Sequence, residues 1–204
     1  MWLIVLITII STIYFYDALP DVMPIHWNAA GEVNGYAPKL IGAFLLPIMA
    51  IFVTLIFLII PYIEPNKKNL KKFAVQYNTL GLILVAFFAY LHYLVMFASI
   101  VEQVNMMRLI SPAIAILFFY VGVLLTKAKQ NYTVGIRTPW TLANEKVWEE
   151  THKKGGILFK ISGIIAIFGL ILPSYAFILV IAPVLIFTIF LFIYSYYLFK
   201  KLKK

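Results

Sequence analysis

From Leu40 to Ile63, and again from Ala176 to Phe199, the chain runs without a charged side chain. A hydrocarbon layer of about 30 Å asks for roughly 20 consecutive apolar residues per helix. The sequence as a whole leans the same way: 204 residues, 63% hydrophobic, 12% charged, mean hydropathy +0.95. Soluble domains are charged at about a quarter of their positions, so a soluble fold is excluded. A membrane β-barrel would show alternating segments of about ten residues, and none occur. The reading is an all-α polytopic membrane protein, one membrane domain over residues 1–204, with six transmembrane helices. The spans are Trp2–Tyr16, Leu40–Ile63, Leu80–Val101, Leu109–Thr126, Ile157–Leu172 and Ala176–Phe199. The first is short enough to be compared with a signal peptide. It lacks a basic amino-terminal region, however, and Tyr16-Asp17-Ala18-Leu19-Pro20 is a poor cleavage site, so it is read as a retained span.

Charge fixes the orientation. Lys67, Lys68, Lys71 and Lys72 follow span two; Lys127, Lys129, Arg137, Lys146, Lys153 and Lys154 follow span four; Lys200, Lys201, Lys203 and Lys204 end the chain. The alternate connections hold only Lys39 and Arg108. Basic residues collect on the cytoplasmic side, which places both termini and both basic connections there. The net charge of +9 is thus a topology signal with some affinity for anionic lipid, and nucleic acid is not expected as a direct partner. The chain has no cysteine, which rules out disulfides, thiolate metal sites and cysteine nucleophiles.

Two connections are long enough to hold structure. In the outer one, Asp17–Lys39, Pro20, Pro24 and Pro38 exclude a continuous helix. Its Asn and Gly residues supply turn chemistry, and a small hairpin about Asn34-Gly35 is expected. The inner one, Val134–Gly156, turns at Gly135 to Pro139 around Arg137. A short helix is expected to start at Thr141 or Asn144, both good N-cap residues, and to stop at Gly155-Gly156. Such a helix would lie along the membrane surface with Asn144, Trp148 and Thr151/His152 on one face. Between spans five and six, little more than Pro173-Ser174-Tyr175 forces an antiparallel pair.

Few residues carry chemistry. Arg137 offers a planar fork for a partner carboxylate or peptide backbone, or else an anchor for loop carbonyls or lipid phosphate. Trp140 and Trp148 read as interfacial packing. Glu149 and His152 form a single Glu-x-x-His pair with Glu145 one turn earlier. Di-iron bundles need two such pairs, and the zinc-protease His-Glu-x-x-His is absent, so no metal and no cofactor are expected. His26 reads as closing a loop hydrogen bond. His92, mid-span, reads as a neutral imidazole bonded to another helix, and as the only plainly ionisable residue at depth. Glu64 and Glu102 fall at span ends, which leaves no paired carboxylates within the membrane and no basis for an enzyme.

Gly135–Leu142 (GIRTPWTL), with Glu145, Trp148 and Thr151–Gly156 (THKKGG) after it, resembles the signature of the SdpI family, membrane immunity proteins against a secreted sporulation-delay toxin. The outer segment ALPDVMPIHWNAAGEVNGYAPK is similar to the Leu-Pro…Pro-x-His-Trp…Gly pattern of a domain commonly fused to it. The resemblance implies a six-helix protein of the bacterial cytoplasmic membrane that gives resistance to a membrane-active peptide. In some settings it also implies signalling by holding a transcriptional repressor at the membrane. The implied partners are membrane lipids, a secreted peptide toxin and a cytoplasmic repressor. The motif residues are Arg137, Thr138, Pro139, Trp140, Thr141, Trp148 and His152 inside, and His26 and Trp27 outside. The alternative reading is a small transporter or membrane-stress protein.

Overall fold

The computed structural model describes residues 1–101 and 104–203; Glu102, read above as a span-end carboxylate, and Lys204 of the basic tail lie outside them. The chain is overwhelmingly helical. Helix α1 (Trp2–Phe15) ends in a single 310 turn and leads into an antiparallel hairpin of β1 (Val22–Trp27) and β2 (Val33–Pro38). Then come α2 (Lys39–Ile63), α3 (Lys67–Lys72), α4 (Ala74–Ile100), α5 (Met106–Leu125), α6 (Pro139–Ala143), α7 (Glu145–Ile167) and α8 (Ala176–Leu202). Helices α2, α4, α5 and α8 are long and apolar enough to cross a membrane; α1 is shorter. The loop-side half of α7 carries Glu and Lys, so length and composition alone do not mark that helix as a span. The outward sides of the helices are bare apolar surface, such as Leu185, Ile186, Ile189 and Ile193 on α8. Lipid is the solvent that suits them, and the protein is a multi-pass membrane protein.

The hairpin forms, but its turn does not lie at Asn34-Gly35. It lies at Asn28, whose Oδ1 accepts from the N–H groups of Ala30 and Glu32, both at 3.0 Å, with Gly31 at φ +84°. Asn34 and Gly35 are inside β2 opposite His26. A Cβ at Gly35 would meet the His26 Cβ at 2.9 Å, so this glycine serves a close crossing and not a turn. Met23 plugs the hairpin into the membrane helices. It is fully buried with Leu19, Ala43, Val95 and Met96, and Gly42 leaves room for its side chain.

The Gly155-Gly156 pair is expected to stop a surface helix, and the structure corrects this. Helix α7 runs through both glycines to Ile167, so its first turns continue into the apolar half of the same helix and do not form a separate short one. The glycines are there for packing. A Cβ on Gly156 would meet the Gly122 carbonyl at 2.9 Å, and one on Gly122 would meet the Gly156 carbonyl at 2.6 Å. Gly163 approaches the Ala115 carbonyl at 2.6 Å in the same way. Helices α5 and α7 therefore touch backbone to backbone, the geometry that small residues permit between membrane helices.

These two roles of Gly156 respond oppositely to alanine. A stop signal replaced by Ala would be neutral or would favour helix, whereas a backbone contact would be overpacked. Gly156→Ala is expected to lose about 1–3 kcal/mol, read as a lowered thermal midpoint of the purified protein in detergent. An unchanged or raised midpoint would contradict the packing role.

Candidate functional site: the inner loop lock

Between α5 and α7 the chain makes no long free loop. It folds into a lock pinned from four helices. Trp148 and His152, one turn apart on α7, are both buried, and their rings stack at 3.9 Å between centroids. The Trp148 indole donates to the Ala128 carbonyl at 2.9 Å. His152 Nε2 accepts from the N–H of Ile136 at 3.0 Å, and Nδ1 lies 2.8 Å from the Trp148 carbonyl. A backbone N–H can only donate and a carbonyl only accept, so the imidazole is neutral with its proton on Nδ1. Gly135, at φ +126°, passes over both rings. Its missing Cβ would collide with His152 Nε2 and lie 3.1 Å from Trp148. The left-handed backbone and the close approach both require glycine there.

Thr138 and Thr141 open the short helix α6. The Thr138 hydroxyl accepts from Thr141 N–H at 3.2 Å, while the Thr141 hydroxyl accepts from Thr138 N–H at 2.9 Å, a capping box with threonine in the usual Glu/Gln position. Pro139 takes the first helical position, where its missing N–H is harmless. The Thr138 hydroxyl also reaches Ser195 on α8 at 3.0 Å, and Trp140 packs edge-on against Phe192 and tilted against Tyr196 of the same helix. Asn144 caps α7 through Val147 N–H at 3.1 Å; of the two expected N-caps it is the one used. Thr141 instead completes the box of α6.

Five residues outside the expected segment, Glu64, Asn66, Asn69, Gln130 and Asn131, complete the lock. Glu64, fully buried at the end of α2, accepts from the N–H of Asn66 at 2.8 Å and of Tyr132 at 3.1 and 3.2 Å. Gln130 donates to the carbonyls of Thr141 and Leu142, while Asn66 and Asn69 donate to the Gln130 carbonyl. Asn131, also fully buried, organises Lys129 to Val134 through its side-chain amide. Arg137 is exposed and donates to the Tyr132 carbonyl, so one arm of its fork anchors the loop and the rest faces solvent. The ordered segment starts at Gln130, one turn before the expected Val134. Lone polar residues at the end of an apolar run carry no periodic signal, and nothing in the sequence around Glu64 distinguishes it from an ordinary span-end acid.

Trp148 was expected at the interface, and burial corrects that expectation: it is a core residue. Glu145, Glu149 and His152 share one side by spacing, but the carboxylates stay exposed and His152 turns inward, so the three do not converge. Glu149 instead pairs with Lys129 at 2.8 Å, and that bond holds the lysine above its ordinary value. His92 bonds to the Thr12 hydroxyl of α1 at 2.8 Å, the expected helix-to-helix contact. It is not the only ionisable residue at depth. Lys160 on α7 packs against Gly122, within the span read as Ile157–Leu172.

At the outer end, His26 Nδ1 lies 2.6 Å from Asn34 Oδ1, a bond between the two strands. The half-buried Trp27 lines a cleft between the hairpin and the end of α4. The outer and inner motifs are not brought together. The hairpin joins α2 at Lys39 and the lock holds α2 at Glu64, so about 37 Å of helix, at 1.5 Å per residue, separates them.

Burial lowers the pKa of His152 from 6.5 to about 4, against a smaller opposing effect of the Trp148 carbonyl. Between those values the unfolded lock binds a proton that the closed lock refuses, so its stability falls as pH drops from above 6.5 toward 4. About 2 kcal/mol is lost by pH 5. Protease nicking of the 130–144 loop in detergent should rise over that window, and His152→Gln, which cannot take the proton, should flatten the pH dependence.

Residues 127–195 match the SdpI/YfhL protein family, and residues 3–51 match a domain of unknown function, DUF1648. Immunity protein SdpI of Bacillus subtilis (strain 168) is 26% identical over 201 residues, covering 98% of this chain and 94% of that protein. No solved structure matches the chain. Most of the lock falls in the SdpI/YfhL match and the hairpin falls in the DUF1648 match, so the chain is similar to the SdpI/YfhL family over its last third and to DUF1648 over its first quarter.

Proposed function

We propose that the protein is an immunity protein of the bacterial cytoplasmic membrane, protecting its host from a secreted membrane-active peptide by binding and not by catalysis. The observation that carries this reading is likeness to an immunity protein along nearly the whole of both chains, which takes in the outer hairpin and the inner lock together. The membrane part is one domain of six spans. Helix α1 with its following turn supplies the first, and α7 from Ile157 onward, extended by the 310 turn Phe168–Leu170, supplies the fifth. The two ionisable residues noted at depth, His92 and Lys160, belong to different helix pairs, which favours a receptor over a transporter with a continuous polar path. The outer hairpin meets the peptide. The inner face, with the free arm of Arg137, docks a repressor where one exists.

Two experiments test this. A Bacillus subtilis strain lacking its own immunity protein should survive its peptide toxin when it expresses this chain. Arg137→Lys, which keeps charge and loses the fork, should leave survival intact and weaken a repressor-controlled reporter. No protection at normal membrane abundance would sink the immunity reading. For topology, the cysteine-free background allows single exposed probes: Ala29→Cys should react with an impermeant maleimide in intact cells and Lys146→Cys should not. The reverse pattern would invert the orientation.

A further inference from the structure

The cleft at the outer end has a volume of about 740 Å³, within the roughly 300–1,000 Å³ of ligand sites. The hairpin contributes Pro24, Trp27, Glu32 and Tyr36; Ser99 and Asn105 come from the far wall at α4 and the start of α5. Its walls are mixed in character. Proline, valine and tyrosine side chains offer apolar surface. Glu32 is exposed at the rim, with one carboxylate oxygen held by Asn28 Nδ2 at 3.0 Å. No lysine, arginine or histidine lines the cleft among the described residues. Trp27 Nε1 is buried beside it with no hydrogen-bond partner among them. An unpaired buried donor is destabilising, and an acceptor delivered at the cleft wall would satisfy it after a small turn of the half-buried ring.

We propose that this cleft receives an extended peptide segment bearing an ammonium group, a lysine or a free amino terminus, which pairs with Glu32 while a backbone carbonyl accepts from Trp27. The proposal rests on outer capture of a peptide and gives that site its chemistry. A phospholipid headgroup fits less well, because its phosphate would meet a carboxylate and no cation. A peptide supplies what the walls lack: a positive charge for Glu32, carbonyl acceptors, and side chains for the Pro24 and Tyr36 surfaces. Asp17 and Asp21 on the same connection face one cation, Lys39, which lies 3.8 Å from Asp21, so with Glu32 the connection keeps a net negative charge that favours a cationic ligand.

The test uses the full chain in zwitterionic nanodiscs, with its four tryptophans, Trp2, Trp27, Trp140 and Trp148, labelled as 5-fluorotryptophan. Trp27→Phe identifies the Trp27 fluorine signal. The probes are blocked pentapeptides Val-Lys-Val-Lys-Val and Val-Glu-Val-Glu-Val, and a pentavaline with free or acetylated amino terminus. The lysine peptide should move the Trp27 signal saturably and leave the other three in place. The glutamate peptide should not move it, and the free and acetylated pentavalines report whether an amino terminus suffices. Glu32→Gln, a surface change that preserves the Asn28 bond, should weaken the lysine peptide about three- to fivefold, as an exposed ion pair allows. Equal response to both charged peptides, or no effect of Glu32→Gln, would overturn the proposal. So would a Trp27 signal that follows the nanodisc lipid and ignores peptide. Survival separates the two levels. Glu32→Gln cells that stay fully protected against the toxin would remove this cleft from protection while the immunity reading stands. Wild-type cells left unprotected would remove the immunity reading whatever the peptides do.

Discussion

The imidazole of His152 holds the inner loop only while it is neutral, and much of the lock is arranged around that requirement. Its Nε2 must keep a lone pair for Ile136, so its proton must lie on Nδ1, against the Trp148 carbonyl. That tautomer fixes the ring plane, the ring plane stacks on Trp148, and the stack leaves no room for a Cβ at Gly135. The physical reason for such dense bonding is location. A connection pressed against the ends of membrane helices loses water without gaining regular secondary structure, and its backbone groups must still be paired. Glu64, Gln130 and Asn131 do this with side chains, each serving two or more backbone groups.

Because α7 does not break at Gly155-Gly156, the lock is rigidly joined to the apolar half of that helix. The same helix that presents His152 and Trp148 packs backbone to backbone on α5 through Gly156 and Gly163. A shift of α7 along its axis would move the imidazole relative to Ile136 and the glycine seam together. Helix α2 carries a comparable load at its two ends, Met23 of the hairpin wedged over Gly42 at one and the Glu64 carboxylate under Tyr132 at the other. The two motif-bearing segments are therefore separate in space yet bound to continuous helices, and any coupling between them would have to travel through those helices as rigid elements.

The apolar runs made the helices legible, because membrane thickness sets a length that composition reveals directly. Proline and glycine made the outer connection legible as ordered, and Asn144 was legible as a cap. What the sequence concealed was the meaning of glycine. Gly35, Gly155 and Gly156 carry the same letter as a turn or a helix stop, but each marks a place where another atom comes close, and only the partner in space says which. Burial of Trp148 was hidden for a related reason. A tryptophan in a polar stretch near a span end suits the interface, unless the polar stretch is itself folded over it. Lys160 is hidden within its apolar run because a single lysine scarcely dents a hydropathy average.

The inward turn of the motif changes what the inner face can offer. Thr138, Thr141, Trp148 and His152 are buried and bonded within the chain, so the larger part of the GIRTPWT…W…H signature maintains a shape. Still exposed are Arg137, Pro139, Tyr132 and the Lys129–Glu149 pair, with one side of Trp140. A protein docking there would read a small basic and aromatic surface whose geometry is set from beneath by neutral His152. Substitution of the buried residues would then abolish docking by opening the lock, and substitution of the exposed ones would do so by changing the surface. Those two losses differ physically, since only the first also frees the loop to proteases.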